Sequence, residues 1–139
     1  MTSENDPIKP NSRLFSIEEA NNLIPKLERD FLILRELNQE VTAIIREKEL
    51  LSKGNGDINL NADRVPVDLE LLTKNLESIS KMIGDILKIG IHVKDIDAGL
   101  VDFPHLRDGN IVYLCWQSGE KSIGYWHELD SGKAGRKPL

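Results

Sequence analysis

One cysteine, Cys115, stands in the whole chain of 139 residues. An intrachain disulfide framework is therefore excluded, and so is a four-cysteine zinc site within one chain. Aromatic residues are also scarce, at 5%, and most of them lie in the last third. Basic side chains are in deficit: 18 Lys and Arg face 23 Asp and Glu, for a net charge of −5. That balance argues against a nucleic-acid coat or an anionic-membrane binder, since each needs a basic surface. No apolar run approaches the roughly 20 residues of a membrane helix. The opening, MTSENDPIKPNS, lacks the apolar core of a secretory signal, so a cytoplasmic location is expected. What is there has a globular balance of 40% hydrophobic and 29% charged residues, enough for one domain.

Residues 1–12 are polar, carry two prolines and read as a flexible arm. Ser16 followed three residues later by Glu19 forms a capping box, with Phe15 placed as its hydrophobic staple. A short helix to about Ile24 should follow, and Pro25 should kink it or start another. Beyond Lys26 the residues Leu34, Leu37, Val41, Ile44, Lys48 and Leu51 recur at three- and four-residue steps, a heptad seam with one polar breach. Leu27, Phe31 and Ile45 widen it. The run from Gly54 to Arg64 is a loop, and Pro66 suits the first turn of a second long helix. Leu69, Leu72, Leu76, Ile79, Ile83 and Ile86 continue the same alternation until Gly90 stops it. Two such helices make an antiparallel hairpin. Their stripes are wider than a bare seam, so the first helix, the C-terminal region or a second copy of the chain must cover the remainder.

After Gly90 the period shortens. Ile91 to Ile96 alternates, Leu100 to Phe103 is extended up to Pro104, and Arg107 to Asn110 is a turn. Ile111 to Trp116 and Ser122 to Leu129 read as the two strands of a β-hairpin. The expected fold is α+β: a short capped helix and a long helical hairpin packed with a small antiparallel sheet. It forms one domain over residues 13–139, helical over 13–90, β-rich over 91–130, with a basic tail over 131–139.

All three histidines and the cysteine fall after residue 90. Cys115, His127 and Asp102 offer thiolate, imidazole and carboxylate, a reasonable donor set for zinc or iron, although no CxxC, HxxxH or HExxH spacing accompanies them. Hairpin parity decides whether they can meet. An even turn puts Cys115 and His127 on opposite faces of the sheet, and an odd loop or a bulge puts them on the same face. Otherwise Cys115 is a small buried hydrophobe. As a nucleophile with His127 as its base, Cys115 would meet the same facing problem and would sit mid-strand, away from a helix N-terminus. Asp95 and Asp97 flank a turn, where aspartate ordinarily binds backbone N–H groups. Trp116, Tyr125, Trp126 and His127 gather in one hairpin and suit either an interface or the layer under the helices.

Several stretches together resemble an uncharacterised prokaryotic family, domain of unknown function 2203. They are Gly99-Leu100-Val101-Asp102-Phe103-Pro104, Leu114-Cys115-Trp116, Gly119-Glu120, Tyr125-Trp126-His127-Glu128, Gly135-Arg136 and the opening Phe15-Ser16-Ile17-Glu18-Glu19-Ala20-Asn21 with Leu23-Ile24-Pro25. The resemblance implies that Asp102, Cys115, Trp116, Trp126, His127 and Arg136 are the family's characteristic positions. It implies no activity.

Two functional expectations follow. The first is a non-enzymatic interaction module, a homodimer or a partner of another protein, with a contact patch of Asp102, Trp116, Trp126, His127 and Arg136. The alternative is a small metal- or ligand-binding protein, conceivably an enzyme, using His127 and Asp102 with Cys115 or His105. No catalytic residue is assigned, no cofactor is implied, and neither nucleic acid nor membrane is an expected partner. An odd hairpin loop would favour the alternative.

Overall fold

The computed structural model describes the backbone of residues 13–53 and 65–139, and the side chains of 13–50 and 69–139. The expected N-terminal arm and the Gly54–Arg64 loop lie outside the described residues.

The capping box forms as the sequence requires. Ser16 Oγ accepts from the Glu19 N–H at 3.0 Å, and Glu19 Oε1 accepts from the Ser16 N–H at 2.8 Å. That second bond is the main cause holding the Glu19 carboxyl below its ordinary range. A depressed carboxyl favours the fold above its unfolded pKa and loses that effect as pH falls through the folded value. Ser16→Ala is expected to lower stability by about 1 kcal/mol in urea denaturation.

The helix α1 (Ile17–Lys53) runs unbroken through Pro25. The separate short helix expected before Pro25 is thus its first two turns. Pro25 is exposed, while Ile24, Leu27, Phe31 and Leu34 on the other face are buried. Core packing on both sides of the proline outweighs the one ladder bond it removes. A second helix, α2 (Val65–Ile89), carries Pro66 in its first turn and packs along α1. Among its described side chains the buried positions are Asn75, Ile79 and Ile86, with Leu72, Met82 and Ile83 half-covered. Asn75 is the polar member of this seam, and its Nδ2 donates to Glu40 Oε1 at 2.6 Å. Such a pair fixes the register of two helices at some cost in stability.

Five antiparallel strands follow in simple order: β1 (His92–Asp95), β2 (Leu100–Arg107), β3 (Asn110–Gln117), β4 (Tyr125–His127) and β5 (Lys137–Pro138). Asp108 and Gly109 both have positive φ, the signature of a two-residue type I′ turn. This sets Asp102 opposite Cys115 and Phe103 opposite Leu114. The second strand runs on through Pro104, beyond the end expected there. β1 has already stopped, since its His92 pairs with Asp102. The Pro104 carbonyl instead accepts the Phe15 N–H at 2.7 Å. Pro104's missing N–H would point to that same unpaired edge, so no ladder bond is lost.

One face of the sheet meets the helices. Val101, Phe103, Leu114 and Trp116 are all fully buried there, in one cluster with Phe15, Leu27, Phe31, Leu34 and Ile86. Phe15 stands edge-on to Phe103 with ring centroids 5.3 Å apart. The basic tail contributes β5, which pairs with β4.

Candidate functional site

Strand alternation gives the outer face of the sheet to His92, Asp102, Tyr113, Cys115, Tyr125 and His127. The parity question is answered by the connection between β3 and β4. Tyr113 pairs with His127 and Cys115 with Tyr125, so this is the odd case. Cys115 and His127 lie on one face, with Asp102 beside them.

The loop that sets this parity is pinned by distant residues. Ser118 Oγ donates to Glu28 Oε1 at 2.6 Å, and the Gly119 N–H donates to Glu28 Oε2 at 2.9 Å. Farther along, Asn21 Oδ1 accepts the Ile123 N–H at 2.7 Å. Within the loop, the Glu120 carboxylate accepts the Gln117 N–H, and its carbonyl accepts Trp116 Nε1–H at 2.9 Å. Glu120 also pairs with Arg136 at 2.7 Å. Burial pushes the Glu120 carboxyl up, but the Arg136 bond and the Gln117 N–H outweigh it and hold it low.

Asp102, Cys115 and His127 form the heart of the outer face. Each is at most 2% exposed, and their ligating atoms all lie within 4.8 Å of one another. His127 Nε2 is 3.0 Å from Asp102 Oδ1, and Nδ1 donates to the Glu128 carbonyl at 2.8 Å. Burial disfavours the imidazolium. The hydrogen bonds to Asp102, Cys115 and Glu128, with the Asp102 charge, overcome that and push its pKa up to about 10. The raised pKa favours the imidazolium form of His127 beside Asp102.

Aromatic rings wall the cluster. Tyr113 lies 5.4 Å from the His127 ring and 5.7 Å from the His92 ring. Burial and the nearby Asp102 charge raise the Tyr113 pKa, and burial followed by Lys94 lowers that of His92. Arg136 arrives from the tail, stacks over Tyr125 at 4.2 Å and donates to the Cys115 carbonyl at 3.1 Å.

The other expected residues divide clearly. Trp116 is fully buried on the helix side, where it belongs to the core. Trp126 is half-buried, with Arg107 and Lys137 each 4.8 Å from its ring. As a contact patch, the five hairpin candidates are therefore mostly interior: Asp102, Trp116 and His127 are buried, and only Trp126 and Arg136 approach the surface. His105 is not with the cluster. It pairs with Val112, so it faces the helices, and its Nδ1 donates to the Phe15 carbonyl at 2.6 Å. Asp95 accepts the Ala98 N–H, the local role expected of it, whereas Asp97 accepts from the Asn38 side chain of α1 and so ties the turn to the helix. Tyr113 and Glu28 were not singled out from sequence, and Glu120 stood only within the Gly119-Glu120 stretch of the family resemblance. Tyr113 could have been, because it stands two residues before Cys115 and so shares its face.

The fold and site define an α+β protein, a helical hairpin on one face of a five-stranded sheet, with a buried carboxylate–thiol–imidazole group on the other. The chain belongs to the family described as uncharacterized conserved protein (DUF2203), whose model matches residues 13–139. No curated protein and no solved structure matches it. Among the described residues no helix is long and apolar enough to cross a membrane.

Proposed function

We propose that the chain is a non-enzymatic interaction module that pairs with a second copy of itself through α2. The observation carrying this reading is an apolar stripe that α1 and the sheet leave open. Leu69, Leu76 and Leu87 are 39%, 48% and 55% exposed. They fall on one line along the helix, with Thr73 and Ser80 between them and half-covered Ile83 at its edge. Thr73, Leu76, Glu77, Ser80 and Lys81 line a shallow depression at its centre. Among the described residues nothing lies within 4 Å of where a Cβ on Gly84 would stand, and these small residues admit close approach of another helix.

Charge chooses the occupant. Glu70, Glu77, Lys81 and Lys88 follow one another at steps of seven, four and seven, one column beside the stripe. An antiparallel contact about a two-fold axis beside Ile79 lays this column against itself. Glu70 then meets Lys88 of the second copy, and Glu77 meets its Lys81. A parallel contact would set the column against the opposite flank of the partner helix, where Leu72, Ile79 and Ile86 lie, and would leave the four charges unpaired. Exposed ion pairs contribute little affinity, so they set orientation while the leucines supply the attraction.

Sedimentation equilibrium tests this. The native chain is expected to dimerise, and Leu76→Glu to shift it to monomer. Lys81→Glu should weaken the dimer, and Glu77→Lys with Lys81→Glu should restore it. A native chain that stays monomeric at high concentration, or a dimer indifferent to all three variants, overturns the proposal.

A further inference from the structure

We infer that Asp102, Cys115 and His127 together bind one transition-metal ion of the zinc type, a site separate from the α2 contact and independent of it. The three side chains come from three neighbouring strands, β2, β3 and β4, and reach one point only because the β3–β4 connection is odd. Thiolate, imidazole and carboxylate are the donors that zinc accepts in a tetrahedral shell. The group holds three of them, so one small exogenous ligand would complete the shell.

The spacing fits. Ligand distances near 2.0 Å for nitrogen and oxygen place those two atoms about 3.3 Å apart around a tetrahedral ion. His127 Nε2 and Asp102 Oδ1 already stand 3.0 Å apart. Around the same ion sulfur lies about 3.5 Å from each partner. The widest separation in the group is no more than 4.8 Å, so closure asks the sulfur to approach by about 1 Å.

The orientation of the imidazole fits as well. Nδ1 donates to the Glu128 carbonyl, which leaves Nε2 as the atom facing the group. A ligating histidine ordinarily has its second nitrogen held in this way. On binding, Nε2 and the Cys115 thiol each release their proton to solvent, and the ion takes the place of the proton between Nε2 and Asp102. Arg136 lies alongside at the Cys115 carbonyl, and its Nε is buried with no partner. An ion so placed would tie the three strands together on the face that the helices do not cover.

Cobalt(II) titration of chelator-treated protein, followed by zinc competition, is the test. Because Cys115 is the only cysteine, a thiolate-to-cobalt charge-transfer band has a single source. The expected result is one cobalt per chain with that band, displaced by one zinc. Cys115→Ser, which changes one atom, should abolish the band. It and His127→Ala should weaken zinc binding by more than the roughly 10–100-fold that loss of an outer partner costs. Circular dichroism establishes that each variant is folded. His92→Ala, outside the group, should leave the stoichiometry unchanged. Absence of the band in folded native protein, or equal zinc affinity in native and Cys115→Ser chains, overturns the inference. Either outcome leaves the sedimentation result unaffected, so the two proposals fail separately.

Discussion

Replacing Asp102 with alanine is expected to destabilise the chelator-treated protein by roughly 3–5 kcal/mol, the usual consequence of removing one partner from a buried ion pair. The side chains of His127 and Asp102 are 2% and 3% exposed. Without the carboxylate, the imidazolium has the Glu128 carbonyl and the Cys115 thiol as neighbours and no counter-charge. It then loses its proton or admits water, and either route surrenders the electrostatic stabilisation of the pair. The pH dependence gives a second reading of the same pair. The folded pKa of His127, about 10, lies above its ordinary value of 6.5. Its contribution is therefore complete below pH 6.5 and declines as pH rises through 10. The stability gap between the native chain and Asp102→Ala should narrow along that interval. Urea denaturation at several pH values measures both quantities. A loss under about 1 kcal/mol that does not vary with pH would mean that the pair is solvated and contributes as a surface pair does.

The helices were legible in the sequence because their determinants are local. Seven-residue repetition, the Ser16–Glu19 box and the stop at Gly90 each act within a few residues, and each appears in the structure. The Asp108-Gly109 turn was legible for the same reason, and it alone fixes the register of β2 against β3. The continuity of α1 through Pro25 was not, because it depends on packing against a sheet some 80 residues later in the chain. Asn75 was hidden for a similar cause. The apolar pattern around it allowed Leu76 to be read as a seam residue, whereas the partner that draws Asn75 inward is Glu40 on the other helix.

The candidate site sits between these cases. Its residue types were legible, since the last 50 residues hold every histidine and the cysteine. Its assembly was a matter of parity, left open by the sequence. Parity is decided by residues 118–124, whose path is held by Glu28 and Asn21 of α1 and by Arg136 of the tail. None of these is local to the hairpin. The tail itself read only as a basic stretch, yet its two-residue β5 pairs with β4 and delivers Arg136 to the Cys115 carbonyl.

Trp116 tests whether the hairpin aromatics serve the interior or a surface, and Trp116→Ala is expected to lower stability by about 3–5 kcal/mol without changing the sedimentation behaviour of whatever chain remains folded. The ring is fully buried on the helix side of the sheet, in the cluster that joins α1 to β2 and β3. Its Nε1–H donates to the Glu120 carbonyl, so truncation opens a cavity and leaves that carbonyl without its donor. Trp116→Phe separates the two effects. It keeps most of the apolar volume and removes the indole donor, for an expected cost of about 1–3 kcal/mol. The loop that ends on Glu120 also sets the parity of β3 and β4. Loosening it in Trp116→Phe should therefore increase the reactivity of Cys115 toward thiol reagents, a readout that a simple cavity would leave unmoved. Denaturation midpoints, together with thiol labelling of the folded protein, distinguish the cases. A tryptophan that belonged to a contact surface would instead leave stability nearly unchanged on truncation and alter the assembly.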